Sequence, residues 1–248
     1  MAFDVGPAHD CPDCARLAAF RATNRAAYPD WWNAPVPTFG EADARVAIVG
    51  LAPGLRGANR TGRPFTGDYA GELLYSTLIE FGFASGVYDR RPDDGLTLID
   101  CAIVNAVRCV PPQNKPSPQE IATCRRYLVP AIAALPRLKI MVALGRIAHE
   151  STLRALKLTL AKFPFAHGAR HPVTSADLSL FDSYHCSRYN TNTGVLTEAM
   201  FRQVFASIRA ELDRADAQAP VSGSELECGP RTAQRLGGRN ERKCFRPD

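Results

Sequence analysis

Two groups of residues could do chemistry. The first is a set of thiols: Cys11-Pro12-Asp13-Cys14 is a tight chelating pair, because two intervening residues let both sulfurs face one metal. Cys109 and Cys124 add two more thiols, with fourteen residues between them that include Pro111-Pro112 and a helix start. Four thiolates hold a zinc ion or an iron–sulfur cluster, and spacing alone does not choose. The competing reading keeps only the Cys11–Cys14 pair and leaves Cys109 and Cys124 as core thiols. Cys101 sits inside an apolar run and is expected to be inert, while Cys186, Cys228 and Cys244 have no evident partner. The second group follows apolar runs: Gly50, Leu51 and Ala52 in a sharp turn, then Phe65, Asp68, Asn105 and His185. It offers an aromatic face, a carboxylate, an imidazole and an amide that both donates and accepts. Each also has an ordinary reading. Asp68 suits a helix cap, Phe65 a core anchor, Asn105 a strand-end residue satisfying the backbone, and His185 a structural histidine.

Something must hold these residues in place. Val46–Gly50 is apolar without polar alternation, as in a strand buried on both faces, and Gly50-Leu51-Ala52-Pro53-Gly54 ends it in a turn. Leu96–Val107, Leu138–Leu144 and Leu178–Tyr184 read as three further strands. Helices are expected after Cys14, over Ala70–Phe81, from Ser117, over Arg146–Leu156 and over Thr197–Arg214. Ser117-Pro118-Gln119-Glu120 carries a capping box with Pro at the first helical position. Phe201, Val204, Phe205, Ile208 and Leu212 fall on one face of the last helix. Strands alternating with helices predict an α/β fold with an open, parallel, four-stranded sheet, and ligands then sit beyond the carboxyl ends of its strands. The segments 50–68, 105–115 and 185–194 all fall there.

Composition narrows the class. A net charge of +5 is compatible with nucleic acid but weak evidence for it, since six basic and four acidic residues lie in the segment 217–248. That segment lacks apolar periodicity and reads as a disordered tail following one domain over 1–216. No apolar run approaches the roughly 18 residues that span a bilayer. The first residues, Met1-Ala2-Phe3-Asp4-Val5, do not form a secretory signal. The expectation is a cytoplasmic protein of prokaryotic type, acting at the nucleoid, whose cysteines are ligands or buried thiols rather than disulfides.

Three segments carry a resemblance. Gly50-Leu51-Ala52-Pro53-Gly54 with Asn59-Arg60-Thr61-Gly62-Arg63-Pro64-Phe65-Thr66-Gly67-Asp68 resembles the first motif of family 5 (type b) uracil-DNA glycosylases. Asn105-Ala106-Val107-Arg108-Cys109-Val110-Pro111-Pro112 with Asn114-Lys115-Pro116 is similar to the segment joining base recognition to cluster ligation in families 4 and 5. His185-Cys186-Ser187-Arg188-Tyr189-Asn190-Thr191-Asn192-Thr193-Gly194 resembles their second active-site motif, with Cys186 where many relatives have Pro. The similarity runs in order from Cys11 to about Arg214.

The resemblance implies a three-layer α/β/α sandwich and a structural [4Fe–4S] cluster on Cys11, Cys14, Cys109 and Cys124. It implies hydrolysis of the bond between deoxyribose and uracil, or another deaminated base such as hypoxanthine, in DNA. The product is an abasic site, as in the first step of base excision repair. In that reading Gly50, Leu51 and Ala52 line the base pocket, Phe65 stacks on the extruded base, Asn105 reads its edge and His185 donates to its O2. Asp68 is then the candidate substitute for the water-activating residue that Ala52 replaces, positioning water or stabilising the cationic sugar. Ser187, Arg188, Tyr189 and Asn190 form the loop entering the DNA, and Asn59, Arg60, Arg63 and Lys115 are candidates for phosphate contact. No lysine in the motifs is placed as a Schiff-base nucleophile, so a monofunctional enzyme is expected, acting as a monomer on damaged DNA without an obligate protein partner. Two other classes compete: a catalytically inactive damaged-DNA-binding protein of the same fold, and a cluster-bearing electron-transfer or sensor protein.

Overall fold

The computed structural model describes residues 5–218. Its sheet grows from the apolar runs. β2 (Val46–Gly50), β5 (Cys101–Asn105) and β6 (Ile140–Leu144) are buried at every residue, and β8 (Leu178–Ser183) at all but its first. Burial on both faces is what a parallel strand between two helical layers demands. These four strands are parallel and adjacent in the order β5-β2-β6-β8.

The sheet has six strands rather than four. β1 (Phe39–Gly40) pairs antiparallel with β5, and β7 (Arg170–Val173) antiparallel with β8, one at each edge. Neither edge is legible in sequence: β1 has two residues, and β7 contains Pro172, which only an edge strand tolerates. The expected strand over Leu96–Val107 also divides. Asp100 takes a left-handed φ of 53°, separating β5 from β4 (Thr97–Leu98), which pairs instead with β3 (Ala84–Ser85) in a small hairpin.

Alternate strand residues face opposite helical layers. On one side Ile48, Ile103, Val142 and Phe181 pack under α3 (Tyr69–Glu80) and α7 (Glu198–Gln218) through Leu74, Leu78, Phe201 and Phe205. On the other, Val49, Val104, Met141 and Leu180 meet α4 (Pro118–Ala133) and α5 (Arg146–Ala155) through Leu128, Ala131 and Leu153. This is the expected α/β/α sandwich. α1 (Ala15–Ala27) and two short helices, α2 (Ala58–Thr61) and α6 (Arg188–Asn192), complete it. The capping box of α4 forms as written: Ser117 Oγ accepts from Glu120 N, and a Glu120 carboxylate oxygen accepts from Ser117 N. α7 runs beyond its expected end at Arg214, so residues 217 and 218 are helical, and the rest of the expected tail lies outside the described residues. Among the described residues no helix is long and apolar enough to cross a membrane.

The strand order reverses at β2, whose chain continues to β5 on one side while β6 lies on the other. A crevice opens at such a switch point, beyond the carboxyl ends of the strands.

Candidate active site

Gly50 and Asn105 end their strands side by side in register. Asn105 is buried, and its Oδ1 has no hydrogen-bond partner. Leaving such an acceptor unpaired costs about 1–3 kcal/mol, so the site is built to receive a donor. Gly50 makes room for it: a Cβ there would lie 2.4 Å from Asn105 Oδ1 and 2.7 Å from Phe65 Cζ. The Phe65 ring in turn faces His185, centroids 5.8 Å apart and planes inclined by 28°. Burial pushes the His185 imidazole down to about 4, so it is neutral at neutral pH. The turn after β2 is pinned to the chain after β5, since Gly50 and Leu51 carbonyls accept from Ala106 and Val107 N–H groups.

Phe65 is held in a left-handed conformation, φ 52°. Its carbonyl accepts from Tyr88 Oη (3.1 Å) and the neighbouring Pro64 carbonyl from Tyr75 Oη (2.5 Å). Gly71 lets that carbonyl approach, because a Cβ there would sit 1.8 Å from Phe65 O. Arg63, a candidate for phosphate contact by sequence, is buried instead. Its guanidinium makes a two-pronged pair (2.8 and 2.7 Å) with Asp94, whose side chain has no exposed surface, bonds Thr66 Oγ1, and lies beside the rings of Phe39, Tyr75 and Tyr88. Burial pushes the Asp94 carboxyl up, but Arg63 and two backbone N–H groups hold it well below the usual carboxylate range. Tyr88 and Asp94 carry no sequence signal for this task. They lie in the β3–β4 loop, and only the fold brings them under Phe65.

Asp68 serves as the N-cap of α3, where Oδ1 accepts from Gly71 N (3.4 Å). Its Oδ2 lies over Gly54 and Gly57, where Cβ atoms would be 2.9 and 2.4 Å away. Burial raises its pKa against the opposing pull of the Gly71 and Ala70 N–H groups. The capping and water-positioning readings are therefore not exclusive. One oxygen caps; the other faces the turn.

The segment after β8 divides in role. Ser187 caps α6 by accepting from Asn190 N, and Asn190 Nδ2 donates to the His185 carbonyl (2.8 Å), bracing the turn. Arg188 extends over the Tyr69 ring, and Tyr189 is 74% exposed, the most exposed of the large apolar side chains described. Cys186 is fully buried, its Sγ donating to the Ala70 carbonyl, so the residue standing where relatives have Pro packs inward under α3.

Cys11, Cys14, Cys109 and Cys124 line one cavity with Leu17, Arg21 and Tyr127. Arg21 approaches Cys109 Sγ, Tyr127 Oη lies 3.6 Å from Cys11 Sγ, and the Arg108 N–H donates to Cys124 Sγ. Burial pushes the Cys109 thiol up to about 12 and the Cys124 thiol up to about 11. Ala52 packs against the same group, joining the pocket wall to the thiols. Arg108 is fully buried beside them, donating to the Val36 carbonyl and Thr38 Oγ1, and Asn59 is buried against Asn33. Of the basic candidates for backbone contact, Arg60 and Lys115 remain exposed.

Comparison with known proteins agrees with this geometry. Residues 37–209 match the model of the uracil DNA glycosylase superfamily. The chain is 45% identical to a type-5 uracil-DNA glycosylase of Thermus thermophilus over 78% of its length and 90% of the relative's. It is 37% identical to a type-5 uracil-DNA glycosylase of Pyrobaculum aerophilum over 82% and 89%. It also matches a type-4 uracil-DNA glycosylase of Archaeoglobus fulgidus, 38% identical over 46% of this chain and 50% of that one. With its pocket residues at the switch point of an α/β/α sandwich and this likeness along most of its length, the chain belongs to the uracil-DNA glycosylase superfamily, within the type-5 group.

Proposed function

We propose that this protein is a monofunctional DNA glycosylase that hydrolyses the N-glycosidic bond of uracil, and of hypoxanthine among other deaminated bases, in DNA. The observation that carries the reading is the unpartnered Oδ1 of buried Asn105, set between Gly50 and the Phe65 ring. Uracil presents an N–H flanked by carbonyls, so one amide accepts from N3–H and donates to O4. An extruded base stacks on Phe65, and the turn at Gly50, Leu51 and Ala52 closes over it. As the bond breaks, negative charge moves onto the base and positive charge onto the sugar. Neutral His185 donates to the base O2, a contact that strengthens as that charge builds. The Asp68 carboxylate holds water near the cationic sugar. Water bonds C1′ as the C1′–N1 bond breaks, its proton neutralises the departing uracil anion, and an abasic site is left in an uncut strand. The small Ala52 leaves room for a purine.

DNA is the macromolecular substrate, and a monomer suffices. Ser187, Arg188, Tyr189 and Asn190 form its reading loop, with Arg188 at the phosphates and exposed Tyr189 filling the vacated stack. Cys11, Cys14, Cys109 and Cys124 would hold a [4Fe–4S] cluster. The donor set supports this: four thiols line one cavity, two from the N-terminal segment and two from the chain after β5. Bound there, the cluster supplies a cross-link between the N-terminal segment and the chain after β5, and takes no part in the chemistry.

The test is base release from a duplex carrying one uracil, followed by hot alkali. The parent should release uracil, while Asp68→Asn and His185→Ala lose on the order of 100-fold in kcat. A hypoxanthine duplex should compete for the same site. Tight binding without release would make the protein a damaged-DNA-binding module of the same fold.

A further inference from the structure

Three elements meet at a buried carboxylate that the base-excision chemistry does not use. Asp182, in β8, has no exposed surface and engages two histidines: His149 Nδ1 on α5 lies 2.7 Å from Oδ1, and His171 Nε2 on β7 lies 3.0 Å from Oδ2. His149 Nε2 lies 2.9 Å from the carbonyl oxygen of Phe163. Both nitrogens of one buried ring therefore face oxygens. A carbonyl only accepts, and a carboxylate holds its proton far more weakly than an imidazole does. Both contacts are hydrogen bonds to a carboxylate and a carbonyl only if both nitrogens carry protons.

The position of the triad gives this a consequence. Three residues after Asp182 comes His185. The Asp182 backbone is fixed on both sides, accepting from Gly168 N and donating to Ala169 O. Ser183 O accepts from Gly145 N at the start of α5, and His167 Nδ1 accepts from Tyr184 N. Gly145 itself abuts the His185 Cβ, 3.5 Å from where a side chain would begin. We infer that His149 is an imidazolium at neutral pH, and that the His149–Asp182–His171 triad is a positioning device that clamps α5, β7 and the 156–169 loop onto β8 so that His185 is held at the pocket.

The charged and titratable groups facing His149 agree. Asp182 and His171 face it from the sheet, Glu150 from its own helix, and the Phe165 ring, covered by Arg146, from the loop. Burial pushes the His149 pKa down, but Asp182, the Phe163 carbonyl and Glu150 together raise it above the ordinary value. A group raised in this way stabilises the fold below its unfolded pKa and loses that contribution as pH rises through the folded one. The competing occupant is a divalent ion, since the three ligand atoms lie within 4.8 Å of one another. The two nitrogen–oxygen separations are hydrogen-bond lengths, whereas a tetrahedral zinc with bonds of about 2.0 Å would spread its ligands to about 3.3 Å.

The clamp's role rests on the glycosylase reading, so the first measurement does not depend on it. In the full-length protein labelled with 15N-histidine, NMR at pH 7.5 should show one histidine with both ring nitrogens protonated and His185 neutral. A spectrum with every histidine neutral, or one zinc per chain that survives dialysis in the parent and is lost in Asp182→Asn, would overturn the proposal. On a uracil duplex, the parent's kcat should fall on the alkaline side with the midpoint at which the His149 signal titrates; a flat profile through that midpoint refutes the positioning role. Asp182→Asn should lower kcat about tenfold with KM within twofold. His171→Gln removes only the outer, partly exposed member and should lower kcat two- to threefold, so a folding failure of the first variant leaves the second decisive. Unchanged kcat in a folded variant counts against the clamp. If the parent releases no uracil, the functional reading fails while the NMR result still decides the charge of His149.

Discussion

At the residue scale the pocket depends on what is missing as much as on what is present. Gly50 lacks the Cβ that would occupy the space of Asn105 Oδ1, and Gly71 lacks the one that would strike the Phe65 carbonyl. His185 is kept neutral by burial rather than by a charged partner, and that has a measurable effect on stability. An unfolded histidine takes up its proton below about pH 6.5, whereas His185 resists until about 4. Protons are then bound preferentially by the unfolded chain. Acidification through that window should therefore destabilise the protein, by at most about 3 kcal/mol from this group. Thermal melts between pH 7 and 4 should show the decline, and His185→Gln should have a shallower slope. Equal slopes would mean that His185 is solvated.

At the element scale, the chain from Gly62 to Asp68 carries Phe65 in a conformation its own residues do not favour, and the β3–β4 loop sustains it. The Arg63–Asp94 pair is buried on both sides, so Asp94→Asn leaves an arginine without its counter-charge, a loss of about 3–5 kcal/mol. Tyr88→Phe removes the hydrogen bond to the Phe65 carbonyl and the one that its oxygen accepts from Gly67 N, and should cost about 1–2 kcal/mol. Kinetics separate the two effects. Tyr88→Phe should raise KM for a uracil duplex several-fold with kcat nearly unchanged, because stacking is loosened while His185 and Asp68 stay in place. A kcat loss at constant KM would show that the brace acts on the reacting bond instead. The first-motif arginine thus acts inside the protein, and Arg60 is left as that motif's exposed cation.

At the scale of the whole molecule, the cysteine cavity and the base pocket share a wall. Ala52 touches the group formed by Leu17, Val107, Cys109 and Cys124, and α1 reaches the body of the protein through the same group. Cys109→Ser should abolish the visible absorption of the proposed cluster, lower Tm by several degrees and reduce base release in proportion to the folded fraction lost. An iron-free variant with the parent's Tm and activity would show that the thiols are only core packing.

Much of this was determined by local sequence. Apolar runs without alternation specify buried parallel strands, Ser117 with Glu120 starts a helix, and Gly50, Phe65, Asp68, Asn105 and His185 fall where such strands end, because period, capping and turn chemistry are short-range. Two residues of β1, the break at Asp100 and the Pro-containing edge β7 were not legible, since pairing with a distant neighbour is what makes them strands. The same limit applies to function. Asn105 announces an amide, but only the packed structure leaves its oxygen without a partner. Arg63 announces a surface cation, and tertiary structure turns it inward onto Asp94 because a paired guanidinium beneath three aromatic rings can brace a strained loop. His149, Asp182 and His171 carry no motif at all. Three elements that are separate in sequence must be packed together before a carboxylate meets two imidazoles.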